Sequence, residues 1–213
     1  MAQLYPIYLR LAGEKCLVVG GGKVAQRKVK SLLKSDACVT VVSPRLTSEL
    51  HRLKEEHKIT YHAEEFKEGH LEGMQLVISA TDNEEVNRRV AELCFSKNIL
   101  VNVADDPGKC SFFVPAVVRQ GDLSIAVSTG GKSPLLAARI REQLERTYGP
   151  EYAEFLELLG QVRIDLIQNI DQPEKRREIL EDIVQSDILS LIKEKRYEDI
   201  KERIQNAYRG RGR

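Results

Sequence analysis

The sequence predicts an α/β fold, in which a parallel β-sheet covered by helices is followed by a small β-hairpin and an all-helical C-terminal domain. Short apolar, β-branched runs alternate with amphipathic segments over the first half of the chain. A glycine-rich turn joins the first apolar run to the first amphipathic segment, and beyond residue 150 the apolar residues keep a helical period. Alternation of this kind places parallel strands in the middle and helices on both faces.

The elements of the first half follow this alternation in order. Apolar runs predict strands at 15–19, 37–42, 59–62, 75–80 and 99–103, and the segments between them predict helices at 23–34, 46–56 and 81–96. The last helix is expected to begin at Thr81 and Asp82, which stand at capping-box spacing from Glu84 and Glu85. Because crossovers between parallel strands are right-handed, a ligand site is expected at the carboxyl ends of the strands.

After Asp105 the pattern changes to a hairpin and then to helices alone. β-like runs are predicted at 112–119 and 123–128, with a hairpin turn between them. A helix then begins with Ser133 as its N-cap and Pro134 at its first position, and breaks in the later helical pattern fall at 171–173 and 186–187. The domains are therefore predicted at 1–113, 114–146 and 147–213. The middle one is too small to bury its own faces, so it is expected to be a dimerisation segment that makes a homodimer.

Composition and charge exclude several classes of protein. The 213 residues include 33 basic and 32 acidic ones, and the net charge of +1 argues against binding to nucleic acid or to a membrane surface. No apolar run approaches about 18 residues, so no membrane span is expected. The N-terminus lacks the pattern of a signal peptide, and the protein is therefore expected in the cytoplasm. The C-terminal Arg-Gly tail, residues 208–213, is expected to fray.

The cysteine and histidine patterns give no sign of a metal site. Cys16, Cys38, Cys94 and Cys110 are scattered without a CxxC pair, which is typical of buried free thiols. The four histidines all lie within 51–70, on a predicted solvated face, and none pair at i,i+4. We therefore expect no metal ligands.

Residues 15–27, KCLVVGGGKVAQR, contain the strongest motif of the chain. Gly20, Gly22 and Ala25 fit the G-x-G-x-x-A pattern of the nucleotide-binding turn in a Rossmann fold. The first glycine lets the chain turn off the strand, the second leaves no Cβ between backbone and pyrophosphate, and the alanine lets the helix pack on the sheet. The helix N-terminus then faces the phosphates. The alternative is a tight glycine turn that binds nothing.

Two further strand ends carry candidate cofactor contacts. After the second strand, where NAD sites usually place an acidic residue for the ribose, this chain has Ser43, Pro44 and Arg45. Ser43 suits a ribose hydroxyl and Arg45 suits a 2′-phosphate, which leans towards NADP; the alternative is a loop arginine in solvent. After the fourth strand, Thr81 and Asp82 lie where a cofactor crosses the sheet, unless they only cap the next helix.

The end of the fifth strand is the candidate reaction centre. It contains Asn102, Asp105 and Asp106, and it faces the nicotinamide side of a Rossmann crevice. A carboxylate here is suited to accept a proton while a hydride leaves the substrate. The alternative is a turn-forming Asp-Asp-Pro sequence with solvated carboxylates.

A second glycine-rich turn lies at residues 128–133, STGGKS. It opens a helix and contains a lysine, so its free backbone N–H groups suit a phosphate or a carboxylate. The alternative is a helix start with a structural role only.

In combination these motifs resemble one family. The pieces YPIYLRLAGEKCLVVGGGKVAQRK, VVSP, ISATDNEEVN, NVADDPGKCSFFVPA and AVSTGGKSPLLAARIRE follow in this order over residues 5 to about 145. With them the chain resembles the precorrin-2 dehydrogenase family, the dehydrogenase and ferrochelatase module of sirohaem synthesis. The resemblance implies NAD-dependent oxidation of precorrin-2, a tetrapyrrole, to sirohydrochlorin on a homodimer, with an active site between the Rossmann and helical parts.

The resemblance also assigns roles to single residues. Asp105 matches the catalytic aspartate of the family, and Asp106 does not. Together with the strand-end reasoning, cofactor contacts are expected at Gly20, Gly22, Lys23, Val24, Ser43, Pro44, Arg45, Thr81, Asp82 and Asn102. Substrate contacts are expected at Ser128, Thr129, Gly130, Lys132 and Ser133. The cofactor implied by the family is NAD, which outweighs the single arginine that favours NADP.

Two alternatives stay open. Some members of the family also insert Fe²⁺ into sirohydrochlorin, but the lack of a His or Cys cluster favours dehydrogenase activity alone. A non-enzymatic dinucleotide-sensing regulatory module would share the glycine turn and the dimer. It would not need Asp105 opposite the nicotinamide or basic anchors for a large substrate, and we therefore predict an enzyme.

Overall fold

The structure is a computed structural model that describes residues 4–210. The chain divides into two compact units, with the boundary between Val114 and Pro115. The division into three domains stays a prediction. The prediction that the Arg-Gly tail frays from residue 208 is wrong for Tyr208 and Arg209, which belong to the last helix. Residues 211–213 of the tail and residues 1–3 lie outside the described residues.

The first unit is built on a five-stranded parallel sheet with the order β3-β2-β1-β4-β5. Its elements are β1 Lys15–Val19, α1 Lys23–Leu33, β2 Cys38–Val42, α2 Ser48–Glu55, β3 Thr60–His62, β4 Leu76–Ser79, α3 Glu84–Ser96 and β5 Leu100–Val103, with short 3₁₀ helices at Glu68–Leu71 and Pro107–Lys109. The winding reverses between β1 and β4, so the carboxyl ends of these neighbours form the crevice where ligands bind in open parallel sheets.

Alternation along the strands produces two apolar layers, one on each face of the sheet. Cys16 and Val18 of β1 pack on one face with the buried sides of α1 and α2, and Leu17 and Val19 pack on the other face with α3. The central strands are apolar throughout because both of their faces are covered. This arrangement confirms the predicted Rossmann-like sheet.

Residues 110–112 run along the outer edge of β5. The Ser111 N–H donates to the Val101 carbonyl, and the Val101 N–H donates to Ser111 Oγ, both at 2.8 Å. The Val103 N–H donates to Cys110 Sγ at 3.2 Å. The backbone groups that β5 turns away from β4 are therefore satisfied by this segment.

The second unit combines a hairpin with helices. Its elements are β6 Ala116–Gln120, β7 Leu123–Val127, α4 Pro134–Thr147, α5 Glu151–Asn169, α6 Pro173–Val184, α7 Ile188–Lys193 and α8 Tyr197–Arg209. The predicted strand at 112–119 is wrong at its start, because the Phe112 carbonyl accepts from the Asn102 amide (3.1 Å) and the ladder begins only at Ala116. The predicted helix breaks are confirmed. A further break at Lys195, which has φ +59°, is not evident from the sequence.

The last four helices share a core of their own. Leu166, Ile183 and Ile188 are almost fully buried at its centre. The Tyr208 hydroxyl on α8 donates to Asp165 Oδ2 on α5 at 2.6 Å, and burial together with this bond raises the pKa of Tyr208 to about 12. The all-helical C-terminal part is therefore confirmed as a packed structure.

The four thiols are free, but they are not all buried. Cys16 and Cys94 are fully buried, and burial raises the pKa of each to about 11. The prediction is wrong for Cys38, which is the exposed first residue of β2, and Cys110 is half-buried. None of the helices between residues 4 and 210 combines the length and apolar character that a membrane crossing requires.

Candidate active site

The turn between β1 and α1 contains three glycines in different surroundings. Gly20 has φ +120°, and a Cβ there would lie 2.3 Å from the Ala80 carbonyl oxygen. A Cβ at Gly21 would lie 1.8 Å from the Arg45 carbonyl oxygen, whereas a Cβ at Gly22 would meet no atom within 4 Å. Neighbouring strand ends therefore require the first two glycines, and the third leaves open space in front of the turn.

The N-terminus of α1 opens at this space. Gly22 is the N-cap and supplies no side-chain cap. The first bond of the helix runs from the Gln26 N–H to the Gly22 carbonyl (2.9 Å), so the N–H groups of Lys23 and Val24 have no intrahelical partner. Lys23 and Val24 are exposed, and Ala25 is fully buried. Uncapped N–H groups at the positive end of a helix, beside a glycine that leaves space, fit a pyrophosphate.

The loop after β2 is closed by its own hydrogen bonds. Ser43 is buried, its hydroxyl donates to the Arg45 carbonyl, and its carbonyl accepts from the Tyr61 hydroxyl, both at 2.8 Å. Because the hydroxyl proton is used within the loop, Ser43 Oγ can only accept from a ribose hydroxyl. Pro44 and Arg45 are exposed. This loop also supplies the carbonyl that excludes a side chain at Gly21.

A hydrogen-bond network centred on Asn87 of α3 holds the corner after β4. The Asn87 side-chain oxygen accepts from Ser79 Oγ (2.7 Å) and Thr81 Oγ1 (2.9 Å), and its nitrogen donates to the Thr81 carbonyl (3.0 Å). Ser79 and Asn87 are buried. The sequence analysis did not identify Asn87. The signal was available, because Asn87 shares the helical spacing of the buried Val90, Ala91 and Cys94, and a polar residue in an apolar stripe indicates a buried hydrogen bond.

The prediction that the third helix begins at Thr81 and Asp82 is wrong. Asn83 is the N-cap of α3, and its side chain accepts from two backbone N–H groups of the first turn at 3.1 and 3.2 Å. Thr81 is instead directed to Asn87, and Asp82 is exposed. Thr81 therefore shapes the corner, and Asp82 is the member of the pair that faces solvent.

Asn87→Ala is expected to destabilise the protein by about 2 kcal/mol, because Ser79 and the Thr81 carbonyl lose buried partners. The measurement is the urea midpoint of unfolding followed by circular dichroism. Arg88→Ala, on the exposed side of the same helix, is the control and is expected to stay within about 0.5 kcal/mol of wild type. Equal midpoints for the two variants would contradict the structural role of Asn87.

Two adjacent carboxylates follow β5, and the turn uses only one of them. Asp106 Oδ1 accepts from the Gly108 N–H (3.1 Å), and Oδ2 pairs with Lys109 Nζ (2.5 Å), which lowers the pKa of Asp106. Asp105 is exposed, has φ +64°, and its carboxylate makes no hydrogen bond to any residue between 4 and 210. Left-handed backbone is strained in residues with a side chain, and such residues concentrate at functional sites. Asp105 is therefore the carboxylate left available for chemistry.

A half-buried lysine lies near these groups. Lys28 falls on the side of α1 that carries the buried Ala25 and Val29. Burial lowers the pKa of Lys28, and Arg27 lowers it further, whereas Asp105 and the ionised form of Cys110 act in the opposite direction. Lys28 therefore places a cation within electrostatic reach of Asp105. Sequence reasoning missed it, although a lysine within an apolar helical stripe was the available signal.

Asn102 has a structural partner at the same strand. It is buried, and its amide donates to the Phe112 carbonyl at 3.1 Å and towards Cys110 Sγ at 3.5 Å. Its amide nitrogen therefore holds residues 110–112 against β5. The predicted contact between Asn102 and a cofactor stays a prediction.

In the second unit, Thr129 holds the turn before α4 together. Its Oγ1 accepts from the Ser133 N–H and donates to the Ser133 carbonyl, both at 3.1 Å. Gly130 and Gly131 adopt positive φ, +62° and +79°, which side chains rarely tolerate. The Thr129 side chain thus serves the turn itself.

The start of α4 has the predicted capping. Ser133 Oγ accepts from the Leu136 N–H at 3.2 Å, and Pro134 occupies the first helical position. Ser128 and Lys132 are exposed. Of the five predicted substrate contacts, Lys132 is the cation, and it forms no ion pair with any residue from 4 to 210. Ser128 accepts from the Gly130 N–H at 3.2 Å.

One group of metal-ligating side chains comes together between residues 4 and 210. The ligand atoms of His62, Glu64 and His70 all lie within 4.8 Å of one another. His70 Nδ1 accepts from the Lys67 N–H (3.0 Å), so its Nε2 carries the ring proton and donates to Glu64 (3.2 Å). A protonated nitrogen has no lone pair for a metal, so this tautomer argues against a metal site. The expectation of no metal ligands stays a prediction.

The parallel sheet, the three-glycine turn and the uncapped helix define the class of protein, which is a Rossmann-type dinucleotide-binding protein. A family model for NAD(P)-binding domains matches residues 7–116, and a model for the central region of sirohaem biosynthesis proteins matches residues 120–147. The chain is 40% identical over 190 residues to a siroheme synthase from Pseudoalteromonas translucida and 41% identical over 191 residues to one from Nitrosospira multiformis. These matches cover 89% and 88% of the chain.

A solved structure is similar over nearly the whole length of the chain. SirC, a precorrin-2 dehydrogenase, is 28% identical with a TM-score of 0.79, and the match covers 95% of this chain and 99% of that one. The chain belongs to the NAD(P)-binding family whose model matches residues 7–116, and its similarity to siroheme synthases and to SirC confirms the sirohaem family predicted from the motifs. It spans about 40% of the length of the two siroheme synthases, so it corresponds to one part of those proteins.

Proposed function

We propose that the protein oxidises precorrin-2 to sirohydrochlorin with NAD, as a step of sirohaem biosynthesis. The observation that carries the proposal is an uncapped glycine turn and an available carboxylate, Asp105, at the same edge of one parallel sheet. Similarity to SirC over the full chain supports the reaction, since that protein is a precorrin-2 dehydrogenase. When bound, NAD supplies the hydride acceptor.

Different residues at that edge of the sheet bind the cofactor and accept the proton. The N–H groups of Lys23 and Val24, with Gly22 leaving space beside them, bind the pyrophosphate. Oxidation removes a hydride and a proton from the substrate, and one more double bond then joins its conjugated system. Asp105 accepts that proton, because it is the carboxylate that the turn does not use. Lys28 supplies a positive charge within electrostatic reach of Asp105.

The carboxylates of the tetrapyrrole need basic anchors. We assign this role to the turn at 128–133, where Lys132 is exposed, and to Arg139, which is exposed on α4. Arg141 is a weaker candidate, because its guanidinium already pairs with Glu142 and Glu145. A cation that is free in the protein loses less when it binds a substrate carboxylate.

A homodimer formed through the hairpin is part of the proposal. β6 and β7 are largely half-buried, and Leu135 and Leu136 at the start of α4 are 82% and 49% exposed. Exposed apolar side chains beside a two-stranded sheet support an interface there. Sedimentation at micromolar concentration is expected to give twice the chain mass, and a strictly monomeric mass would exclude the dimer. Free thiols and a net charge of only +1 support a cytoplasmic enzyme without a nucleic-acid partner.

The test is an anaerobic incubation with precorrin-2 and either NAD⁺ or NADP⁺, followed by the tetrapyrrole spectrum and by NADH formation. Sirohydrochlorin is expected with NAD⁺, with one NADH for each molecule formed. NAD binding without oxidation by either cofactor would overturn the proposal and favour a dinucleotide sensor. Addition of Co²⁺ after oxidation then asks whether the protein also inserts a metal.

A further inference from the structure

A groove between α5 and α6 has an apolar floor and a basic rim. The two helices are joined by a three-residue connection, and the groove between them has a volume of about 420 Å³. Leu166 is fully buried at its floor, Leu180 is half-buried, and Ile167 and Val184 are 55% and 53% exposed at its sides. This volume lies within the range of small-molecule sites, about 300–1,000 Å³.

The charges that line the groove are not balanced. Arg163 lies on α5, and Arg176 and Arg177 lie on α6. The carboxylate among the lining residues is Glu181, and it is paired with Arg177 at 2.7 Å. Arg163 and Arg176 form no ion pair with any residue between 4 and 210. Two guanidinium groups beside an apolar floor therefore lack a counter-charge.

Arg176 is held in place with one donor unused. Its Nη2 donates to the Asp171 carbonyl at 2.9 Å, which fixes the guanidinium at the start of α6. Its Nε is the one buried side-chain nitrogen or oxygen in the described part of the chain that has no hydrogen-bond partner. A buried N–H without an acceptor is unfavourable, and the side chain that carries it is one of those that line the groove.

We propose that this groove binds an organic anion whose flat apolar body carries carboxylates, the chemical class of the tetrapyrrole in the proposed reaction. The identity of the ligand rests on the proposed function, whereas the groove and its charges do not. The apolar floor receives the ring edge, and Arg163 and Arg176 receive carboxylates, for which guanidinium forks are well suited.

The test uses uroporphyrin, a porphyrin with eight carboxylates, as the probe of binding to the full chain. Binding is followed by porphyrin fluorescence for wild type, Arg163→Gln, Arg176→Gln and the control Arg88→Gln. The control removes one charge from an exposed surface pair on α3. Because Lys132 and Arg139 are proposed to bind the same class of ligand, the titrations are fitted with two sites. Each groove variant is expected to weaken binding at one of the two sites by about tenfold or more, whereas the control stays within about twofold at both. Circular dichroism checks folding, and Arg163 is exposed, so its replacement is expected to leave the fold intact.

The outcomes separate this inference from the proposed function. Absence of porphyrin binding, or equal affinities for the groove variants and Arg88→Gln, would overturn the inference. A change of sedimentation mass in the groove variants without a change in porphyrin affinity would identify the groove as a self-association surface instead. If wild type binds uroporphyrin through the groove but does not oxidise precorrin-2, the proposed reaction fails and the groove assignment stands. If the wild type oxidises precorrin-2 but the groove variants bind uroporphyrin as tightly as the wild type does, the proposed reaction stands and the groove assignment fails.

Discussion

Asp105→Asn is expected to abolish turnover and to leave NAD binding largely intact. The carboxamide has nearly the same shape, and asparagine tolerates the left-handed backbone at φ +64° as well as aspartate does. It cannot accept a proton, however, and loss of a general base costs about 10²- to 10⁴-fold in rate. The measurements are kcat for precorrin-2 oxidation under anaerobic conditions and the Kd for NAD from protein fluorescence.

Asp106→Asn is the matched control for this substitution. It removes the same charge one residue away, where the side chain caps a 3₁₀ turn and pairs with Lys109. Asparagine still accepts from the Gly108 N–H, so turnover is expected to stay within a few-fold of wild type. A fully active Asp105→Asn protein, or equal losses in both variants, would remove Asp105 from the proposed mechanism.

Gly21→Ala is expected to disrupt the nucleotide-binding edge, with a loss of more than about 3 kcal/mol in stability and no measurable NAD binding. The new Cβ would lie 1.8 Å from the Arg45 carbonyl oxygen and 2.8 Å from Ser43 Oγ. The Ser43 hydroxyl is hydrogen-bonded to the Arg45 carbonyl, so the loop after β2 cannot move away from the new Cβ without breaking this bond. Thermal unfolding with and without NAD measures both effects.

Gly22→Ala tests the next position of the same turn with the opposite expectation for stability. A Cβ there meets no protein atom within 4 Å, so stability is expected to stay within about 1 kcal/mol of wild type, the usual cost of alanine at an N-cap. NAD affinity is expected to fall at least about tenfold, because the methyl group would occupy the space assigned to the pyrophosphate. Normal NAD binding by Gly22→Ala would place the pyrophosphate elsewhere.

Most of the sheet could be predicted, because buried parallel strands and amphipathic helices differ in composition and period. The strand from residue 15 to 19 and the helix that starts at Lys23 agree with the structure at those boundaries. The start of α3 could not be predicted, since Thr81, Asp82 and Asn83 are three successive residues of capping type. The choice between them depends on the contact between Thr81 and Asn87, six residues apart in the chain.

The candidate site shows the same division between local and long-range information. The motif G-x-G-x-x-A assigns no role to Gly21, because its requirement comes from the approach of the Arg45 carbonyl, which belongs to a different loop. The family motif distinguishes Asp105 from Asp106, and the structure adds the physical reason, since Asp106 is used by its own turn. Lys28 and Asn87 are recognisable in the sequence as polar residues within apolar helical stripes, but the groups that they face could be identified only in the packed structure.

Residues 110–112 also make the sheet a poor template for polymerisation. An edge strand with unpaired N–H and carbonyl groups invites strands from other molecules, which is a common route to aggregation. Here the outward groups of Val101 and Val103 are already bonded, and β3, the strand at the opposite edge, has only three residues. Other molecules of this protein therefore find few unpaired backbone groups at either edge of the sheet. Replacement of Ser111 by alanine would leave the Val101 N–H without its partner and expose it at the β5 edge.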